Sequence, residues 1–160
     1  MTLIKIGKIV NTHGIKGELR LLSKFPYKDK VFINNMTIYI DKKDKEIINT
    51  YRKHKNFDMI TLKDYNNINE VLKYKGKNVY VNDSDIKLDN NKYLDEELIG
   101  LNVIYEDNNK GTIVDIERYD KTVLFNIKNN DKEYLIPYND NIIDKIDINT
   151  FGKKRKFESM

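Results

Sequence analysis

Short apolar runs separated by polar turns dominate the first half of the sequence. Each run is rich in β-branched or aromatic residues and is bounded by Asp, Asn, Lys or Gly, which is typical of β-strands. One predicted strand ends at residue 10 and the next begins at residue 19. The others are predicted near residues 36–40, 46–51, 57–62 and 78–81.

One short helix is predicted in this half. Asn67 can cap its start, and Glu70, three residues later, can reach back in a capping-box arrangement. Apolar residues follow at i, i+3 and i+4, on one face: Ile68, Val71 and Leu72. Gly76 is expected to end the helix. A mostly antiparallel sheet of about six strands with one helix predicts a small barrel, which leaves no open edges.

The second half again alternates short strands with turns and predicts two hairpins. The predicted pairs are residues 101–105 with 112–117 and residues 122–127 with 133–136. Pro137 is expected to end the last of these strands. Residues 142–148 are expected to form a short turn and a final edge strand.

The polar segment at residues 84–92 is predicted to be a linker. It divides the chain into a first domain, residues 1–83, and a second domain, residues 93–160, which ends in a basic tail. The predicted fold class is therefore all-β, with two small β-barrels in tandem and one short helix in the first.

Charge is divided unevenly between the halves. Residues 1–85 contain 17 Lys and Arg against 10 Asp and Glu, a balance of +7, whereas residues 86–160 contain 12 against 15, or −3. A basic half suits contact with phosphates, and an acidic half suits a basic protein partner. No apolar run approaches the length that crosses a bilayer, so a soluble, cytoplasmic protein is expected.

Two glycines, Gly14 and Gly17, bound a sharp reversal between the first two predicted strands. Glycine reaches positive φ without steric cost, so the pair predicts a hairpin loop. This loop is expected to present an exposed Lys16 beside His13 and Arg20, and these three residues are candidates for RNA contact. Phosphate contacts of this kind are salt-sensitive and largely independent of base sequence.

No catalytic constellation can be assembled from the sequence. It has no cysteine, and its two histidines lack an HExxH-type partner, so neither a cofactor nor a metal is expected. His54 lies among Arg52, Lys53 and Lys55, which predicts a lowered pKa. Residues 14–17 lack the GK[ST] of a P-loop, and they join strands rather than the helices that a KH loop joins.

Two series of motifs resemble a known family. The stretch GKIV-x-x-HG-x-KGE-x-R at residues 7–20 is similar to the start of the amino-terminal domain of the bacterial ribosome maturation factor RimM, and residues 69–76 resemble a helix-and-glycine landmark late in that domain. The second half resembles a PRC-barrel. Its landmarks, in order, are Tyr93-Leu94, Leu98-Ile99-Gly100-Leu101-x-Val103, Gly111-Thr112-Ile113-x-Asp115-Ile116, Leu135-Ile136-Pro137 and Ile146-Asp147.

The resemblance implies a first barrel similar to those of translation factors, a second that is a PRC-barrel, and a role without catalysis. Members of the family bind the immature small (30S) ribosomal subunit, chiefly by gripping the head ribosomal protein numbered nineteen. They assist 16S rRNA processing and maturation of the head. A monomer is expected, with possible contact to 16S rRNA and none to a membrane.

The resemblance also implies a protein-binding segment, formed here by Lys92, Tyr93 and Leu94. In the family a pair of adjacent tyrosines at the entrance to the PRC-barrel serves ribosome association, and this chain has Lys92 in place of the first. A lysine keeps an apolar stem but loses the rigid ring that makes tyrosine a good anchor. The end also departs from the family, because residues 153–156 are basic where an apolar end is usual.

Two other functions fit parts of the sequence. One is an RNA-binding β-barrel module without a ribosomal-protein partner, which the basic first half would serve. The other is a barrel-fold flavin enzyme, since flavin reductases and isomerases use barrels related to the first domain. The sequence offers no phosphate cradle for such a cofactor.

Overall fold

The structure, a computed structural model, describes residues 1–90, 92–105, 108–119, 121–138 and 147–149. The chain forms two separately packed units, Met1–Leu88 and Asp89–Met160. No helix within the described residues is long and apolar enough to span a bilayer.

The sheet of the first unit closes on itself, as the sequence predicts. Its strands are β1 Leu3–His13, β2 Glu18–Leu22, β3 Thr37–Ile40, β4 Asp44–His54, β5 Phe57–Leu62 and β6 Asn78–Asn82. Their order around the barrel is β1-β2-β5-β4-β3-β6, and β6 pairs antiparallel with β1 to complete it. Alternate residues point inward, so that Ile38 and Ile40 of β3 and Val79 and Val81 of β6 are buried in the barrel.

The predicted helix is present but short. Helix α1 spans Ile68–Val71 and continues as a 3-10 turn, Leu72–Tyr74, before Gly76 takes up a φ of 84°. The Asn67 side chain caps it by accepting from the Glu70 N–H at 3.2 Å, as predicted. The Glu70 carboxylate reaches back, but it accepts from the backbone N–H of Asn66 at 3.1 Å rather than from that of Asn67.

A buried carboxylate lies near the start of β5. Asp58 is fully buried, accepts a hydrogen bond from the Tyr51 hydroxyl at 2.6 Å and forms an ion pair with Lys28 at 2.9 Å. Burial, reinforced by the bond to Asp58, raises the pKa of Tyr51 to about 12. Because a buried charge is tolerated only with partners, these contacts hold the loop that carries Lys28 against the barrel.

The second unit contains the predicted antiparallel strands and also a short helix, which the sequence does not predict. Helix α2 spans Asp95–Leu98, and the strands are β7 Asn102–Tyr105, β8 Asn108–Tyr119, β9 Thr122–Asn129, β10 Lys132–Tyr138 and β11 Asp147–Asn149. The order is β10-β9-β8-β7-β11, so both predicted hairpins and the final edge strand are confirmed. Arg118 of β8 donates two hydrogen bonds to Asp95 and so ties α2 to the sheet.

Pro137 does not end its strand. It lies inside β10 and pairs with Leu124 of β9. Strand β10 is outermost among the described strands, and an edge strand tolerates proline because the missing N–H can face away from the neighbouring strand. The prediction was wrong because edge position depends on the strand order, which the local sequence does not reveal.

The predicted linker begins with ordered structure. A 3-10 turn at Asp83–Asp85 follows β6, and Ile86 is only 7% exposed. The division between the two units, after Leu88, falls inside residues 84–92. The exact boundaries of the two domains and the linker stay a prediction. The expected turn at residues 142–143 and the basic tail lie outside the described residues.

Candidate functional site

The loop between β1 and β2 is held against the start of helix α1. Gly14 and Gly17 have φ values of 74° and 91°, which confirms the positive φ expected of both glycines. The Ile15 carbonyl accepts a hydrogen bond from the Ile68 N–H at 2.9 Å. A Cβ on Gly17 would lie 3.0 Å from the carbonyl oxygen of Asn67, so only glycine lets the loop pack this closely.

His13 and Arg20 are in direct contact at the end of this hairpin. The Arg20 Nη2 donates to Nδ1 of His13 at 2.7 Å, and the guanidinium carbon lies 5.0 Å from the centre of the Phe57 ring. Because arginine can only donate, this contact requires an unprotonated Nδ1 on His13. The Arg20 Nε is buried and has no hydrogen-bond partner among the residues that the structure describes. Arg20 is therefore fixed by a ring on one side and an imidazole on another.

Lys16, the third candidate of this loop, is exposed at its tip. Among the described residues it forms no hydrogen bond or ion pair, so it is not joined to His13 or Arg20. The loop thus combines one fixed cation with one free cation.

A second hairpin, β4–β5, brings further cations into contact with side chains of the first. Arg52 donates two hydrogen bonds to Glu18 of β2, at 2.9 and 2.7 Å, and the rings of His54 and His13 have centres 5.7 Å apart. Sequence reasoning missed this contact between the two hairpins because it depends on the pairing of β2 with β5. The cluster Arg52, Lys53 and Lys55 around His54 is the sequence signal that could have indicated it.

The charges that meet where the β1–β2 and β4–β5 hairpins contact each other shift two pKa values. The hydrogen bonds from Arg52 lower the pKa of Glu18. Partial burial lowers the pKa of His54, and the positive charges of Arg52 and Lys55 lower it further. The predicted direction for His54 is confirmed, although desolvation is a larger cause than the neighbouring cations.

The candidate protein-binding segment of the second unit is largely buried. Tyr93 is 5% exposed and belongs to the core of this unit, and Leu94 is 6% exposed. Lys92 is half-buried, and its N–H donates to the Asp89 carbonyl at 3.2 Å. The structure therefore brings the three residues together but gives two of them a packing role in the isolated chain.

The same sheet presents a mixed apolar and acidic surface. Two rows across β8, β9 and β10 alternate with the row that contains the buried Phe125 and so face away from the core. We call them the outer face: Asp115, Asn126 and Leu135 in one row and Glu117, Leu124 and Pro137 in the other. Leu135 is 51% exposed. Sequence reasoning missed this surface because its members are adjacent only across strands.

The two units present different chemical groups at their surfaces. Within the described residues, no three or more His, Asp or Glu side chains are placed to hold a metal ion. The first unit offers guanidinium and ammonium donors for an anion, and the second offers exposed apolar side chains beside carboxylates.

Comparison with known proteins identifies the family to which the chain belongs. Residues 4–86 match the family model described as RimM N-terminal domain, and residues 95–150 match the RimM PRC barrel domain. The chain belongs to the RimM family. The resemblance noted in the sequence is therefore confirmed, as is the fold class of two β-rich domains with RimM N-terminal and PRC barrel identity.

Individual RimM relatives match along nearly the whole chain. The ribosome maturation factor RimM of Bacillus mycoides is 36% identical over 151 residues, which cover 89% of this chain and 88% of that protein. RimM of Oenococcus oeni is 35% identical over 150 residues, with coverages of 92% and 90%. The solved N-terminal domain of RimM from Thermus thermophilus covers 55% of this chain and 98% of its own, with a TM-score of 0.48 at 18% identity. The assignment rests on the family models and the relatives.

Proposed function

We propose that this chain is a non-catalytic ribosome assembly factor that binds the immature 30S subunit and assists 16S rRNA processing and maturation of the head. We further propose that it works in the cytoplasm as a monomer. Membership of the RimM family through both units carries the proposal, because the relatives are named ribosome maturation factors. Ribosome maturation is thus the established family role, and the 30S contacts are the finer proposal.

We assign the protein contact to the second unit, with the basic head protein numbered nineteen as its partner. Residues 89–152 contain 7 Lys and Arg against 14 Asp and Glu, so this unit is acidic where a ribosomal protein is basic. Lys92 is half-buried and so partly accessible to a partner, whereas the adjacent Tyr93 and Leu94 are buried. We expect them to position the contact rather than supply most of its area.

The outer face is the second part of the proposed contact. Leu135, Leu124 and Pro137 form an apolar centre, and Asp115 and Glu117 flank it on β8. Apolar contact surrounded by charge of the opposite sign to the partner is the usual arrangement of a specific protein interface. A lysine-rich and arginine-rich surface fits this pattern.

The first unit is proposed to contact rRNA through His13, Lys16 and Arg20. Arg20 is held in one orientation by His13 and Phe57, which reduces the conformational entropy lost when it binds a phosphate. Lys16 is free to follow the backbone of the RNA. The unit around them carries the basic balance of the sequence.

A binding experiment with the purified head protein numbered nineteen tests the protein contact. Leu135→Lys places a positive charge in the apolar centre of the outer face. We expect it to weaken the complex at least about tenfold, because it removes apolar contact and repels a basic partner. Calorimetric titration of the full chain gives the dissociation constant.

Leu72→Lys is the matched control, since Leu72 is 48% exposed and lies in the first unit. It should bind the head protein as the unaltered chain does. Equal loss in both variants would remove the outer face from the proposal. No binding by the unaltered chain would favour an RNA-binding module without a ribosomal-protein partner.

A further inference from the structure

We infer that the two hairpins β1–β2 and β4–β5, whose side chains are in contact, form one extended binding surface for RNA phosphates, in which Lys55 is a contact residue together with Lys16 and Arg20. The inference rests on the proposed rRNA contact of the first unit and extends it to a second chain segment. The surface is named here the two-hairpin surface and comprises residues 13–20 and 52–58.

The two hairpins meet through side chains rather than through their turns, because β2 runs antiparallel to β5 and the two turns lie at opposite ends of this pair. His13 pairs with Glu18 where β1 turns into β2, and His54 pairs with Phe57 where β4 turns into β5. Strands β2 and β5 are neighbours, with Arg20 opposite Met59. The Arg52–Glu18 ion pair and the ring contact of His13 with His54 join the side chains of the two hairpins between the turns.

The two-hairpin surface has more cations than its carboxylates can neutralise. It contains five Lys and Arg against two Asp and Glu. Glu18 is occupied by Arg52, and the buried Asp58 by Lys28 and, at 3.6 Å, by Lys53. The other three cations of this surface, Lys16, Arg20 and Lys55, have no carboxylate partner among the described residues.

These three cations differ in freedom in a way that suits a polyanion. Arg20 is fixed against Phe57 and His13, whereas Lys16 and Lys55 are exposed on turns. Small ligands are usually enclosed in a concave pocket. Cations on the turns of two hairpins, with Arg20 on the strand between them, instead match phosphates spaced along an RNA backbone; the arginine is a directional donor and the lysines are point charges.

The chain supplies a matched pair of lysines for the test. Lys55 follows the last residue of β4 and Lys43 precedes its first residue, so the two lie at opposite ends of one strand. Both are exposed turn residues. Lys55→Gln and Lys43→Gln each remove one positive charge while keeping a polar side chain of similar length.

The experiment measures binding of the full chain to a short fluorescein-labelled RNA hairpin by anisotropy at several salt concentrations. Each phosphate contact contributes about 0.7 to 0.9 to the slope of log affinity against log salt. Lys55→Gln is expected to reduce that slope by about one such contact, and Lys43→Gln is expected to leave it unchanged. Melting temperatures of both variants show that each is folded.

An unchanged slope in Lys55→Gln, or equal changes in the two variants, would overturn the inference. If Lys16→Gln reduces the slope but Lys55→Gln does not, the rRNA contact stands on the β1–β2 loop alone and the extension to β4–β5 fails. Failure of the unaltered chain to bind the RNA would overturn both, while leaving the protein contact of the second unit intact.

Discussion

At the scale of single residues, the missing side chain of Gly17 positions the β1–β2 loop. Its backbone packs against Asn67, and the neighbouring Ile15 carbonyl bonds to Ile68. Lys16 is thereby placed on an anchored loop, although its own side chain is free. Anchoring of this kind lowers the entropy that binding must remove from the loop.

Gly17→Ala is therefore expected to destabilise the first unit more than Gly14→Ala. Both substitutions place alanine at a positive φ, which costs about 1 kcal/mol. At Gly17 the new Cβ also meets backbone atoms of Asn67 at 3.0 to 3.4 Å, and crowding of this kind costs about 1 to 3 kcal/mol more. Urea unfolding monitored by circular dichroism measures both changes.

Gly14 serves as the control because a Cβ added there would have no neighbouring atom within 4 Å. Equal losses of stability in the two variants would mean that the close approach to Asn67 contributes nothing beyond the backbone conformation.

Single-residue predictions succeeded where the cause is local. Positive φ at Gly14 and Gly17 and the cap at Asn67 follow from residue type and immediate neighbours. Tyr93 shows the limit: its aromatic ring suits an interface, but in the isolated chain it packs in the core of the second unit. Whether a ring is covered depends on tertiary packing, which its sequence neighbours do not determine.

At the scale of elements, the strands were predictable and their neighbours were not. Runs such as residues 57–62 contain their own β-forming signal, and β5 spans the same residues. Helix α2 was missed because it is four residues long and starts after Leu94, which is not a capping residue. The two-hairpin surface was missed because it depends on β2 lying beside β5.

The meeting of the two hairpins gives stability a pH dependence through His54. Its pKa in the folded chain is below the usual 6.5, first through burial and then through the positive charges of Arg52, Lys55 and Arg20. The unfolded chain therefore binds the proton on this side chain more readily than the folded chain does. The free energy of unfolding consequently falls as the pH drops below about 6.5 and is regained as the pH rises again. Glu18, which faces the same pair of histidines, offsets part of this repulsion.

Thermal unfolding between pH 7.5 and 5.5 tests this dependence. His54→Gln should lose less stability over the interval than the unaltered chain, since the variant has no proton to bind at this position. Identical losses would show that His54 is not the titrating group, and a steeper loss in the variant would reverse the sign argued here.

At the scale of the whole molecule, the division into two units underlies the proposal of a separate partner for each half of the chain. The first unit closes its sheet within residues 3–82, so all its strand pairs are internal. The second unit has its own core, to which Leu98, Ile113 and Ile127 belong. Family matches also follow this division, at residues 4–86 and 95–150.

A fragment of residues 1–88 is accordingly expected to fold alone and to unfold in one cooperative transition. A fragment that stops at residue 83, the predicted end of the first domain, should be less stable by about 2 kcal/mol, because it lacks the buried Ile86. Urea titration compares the two. Equal stabilities would support residue 83 as the boundary, and the absence of a cooperative transition in the longer fragment would contradict independent folding.

Pro137 also limits unwanted pairing of strand β10 with other polypeptide chains. Long regular strand edges are the usual templates for unwanted pairing with another chain. Strand β10 is outermost among the described strands, and at Pro137 it has no N–H to donate to an incoming chain. Another polypeptide can therefore add to this edge as a further strand less readily than to an edge without proline.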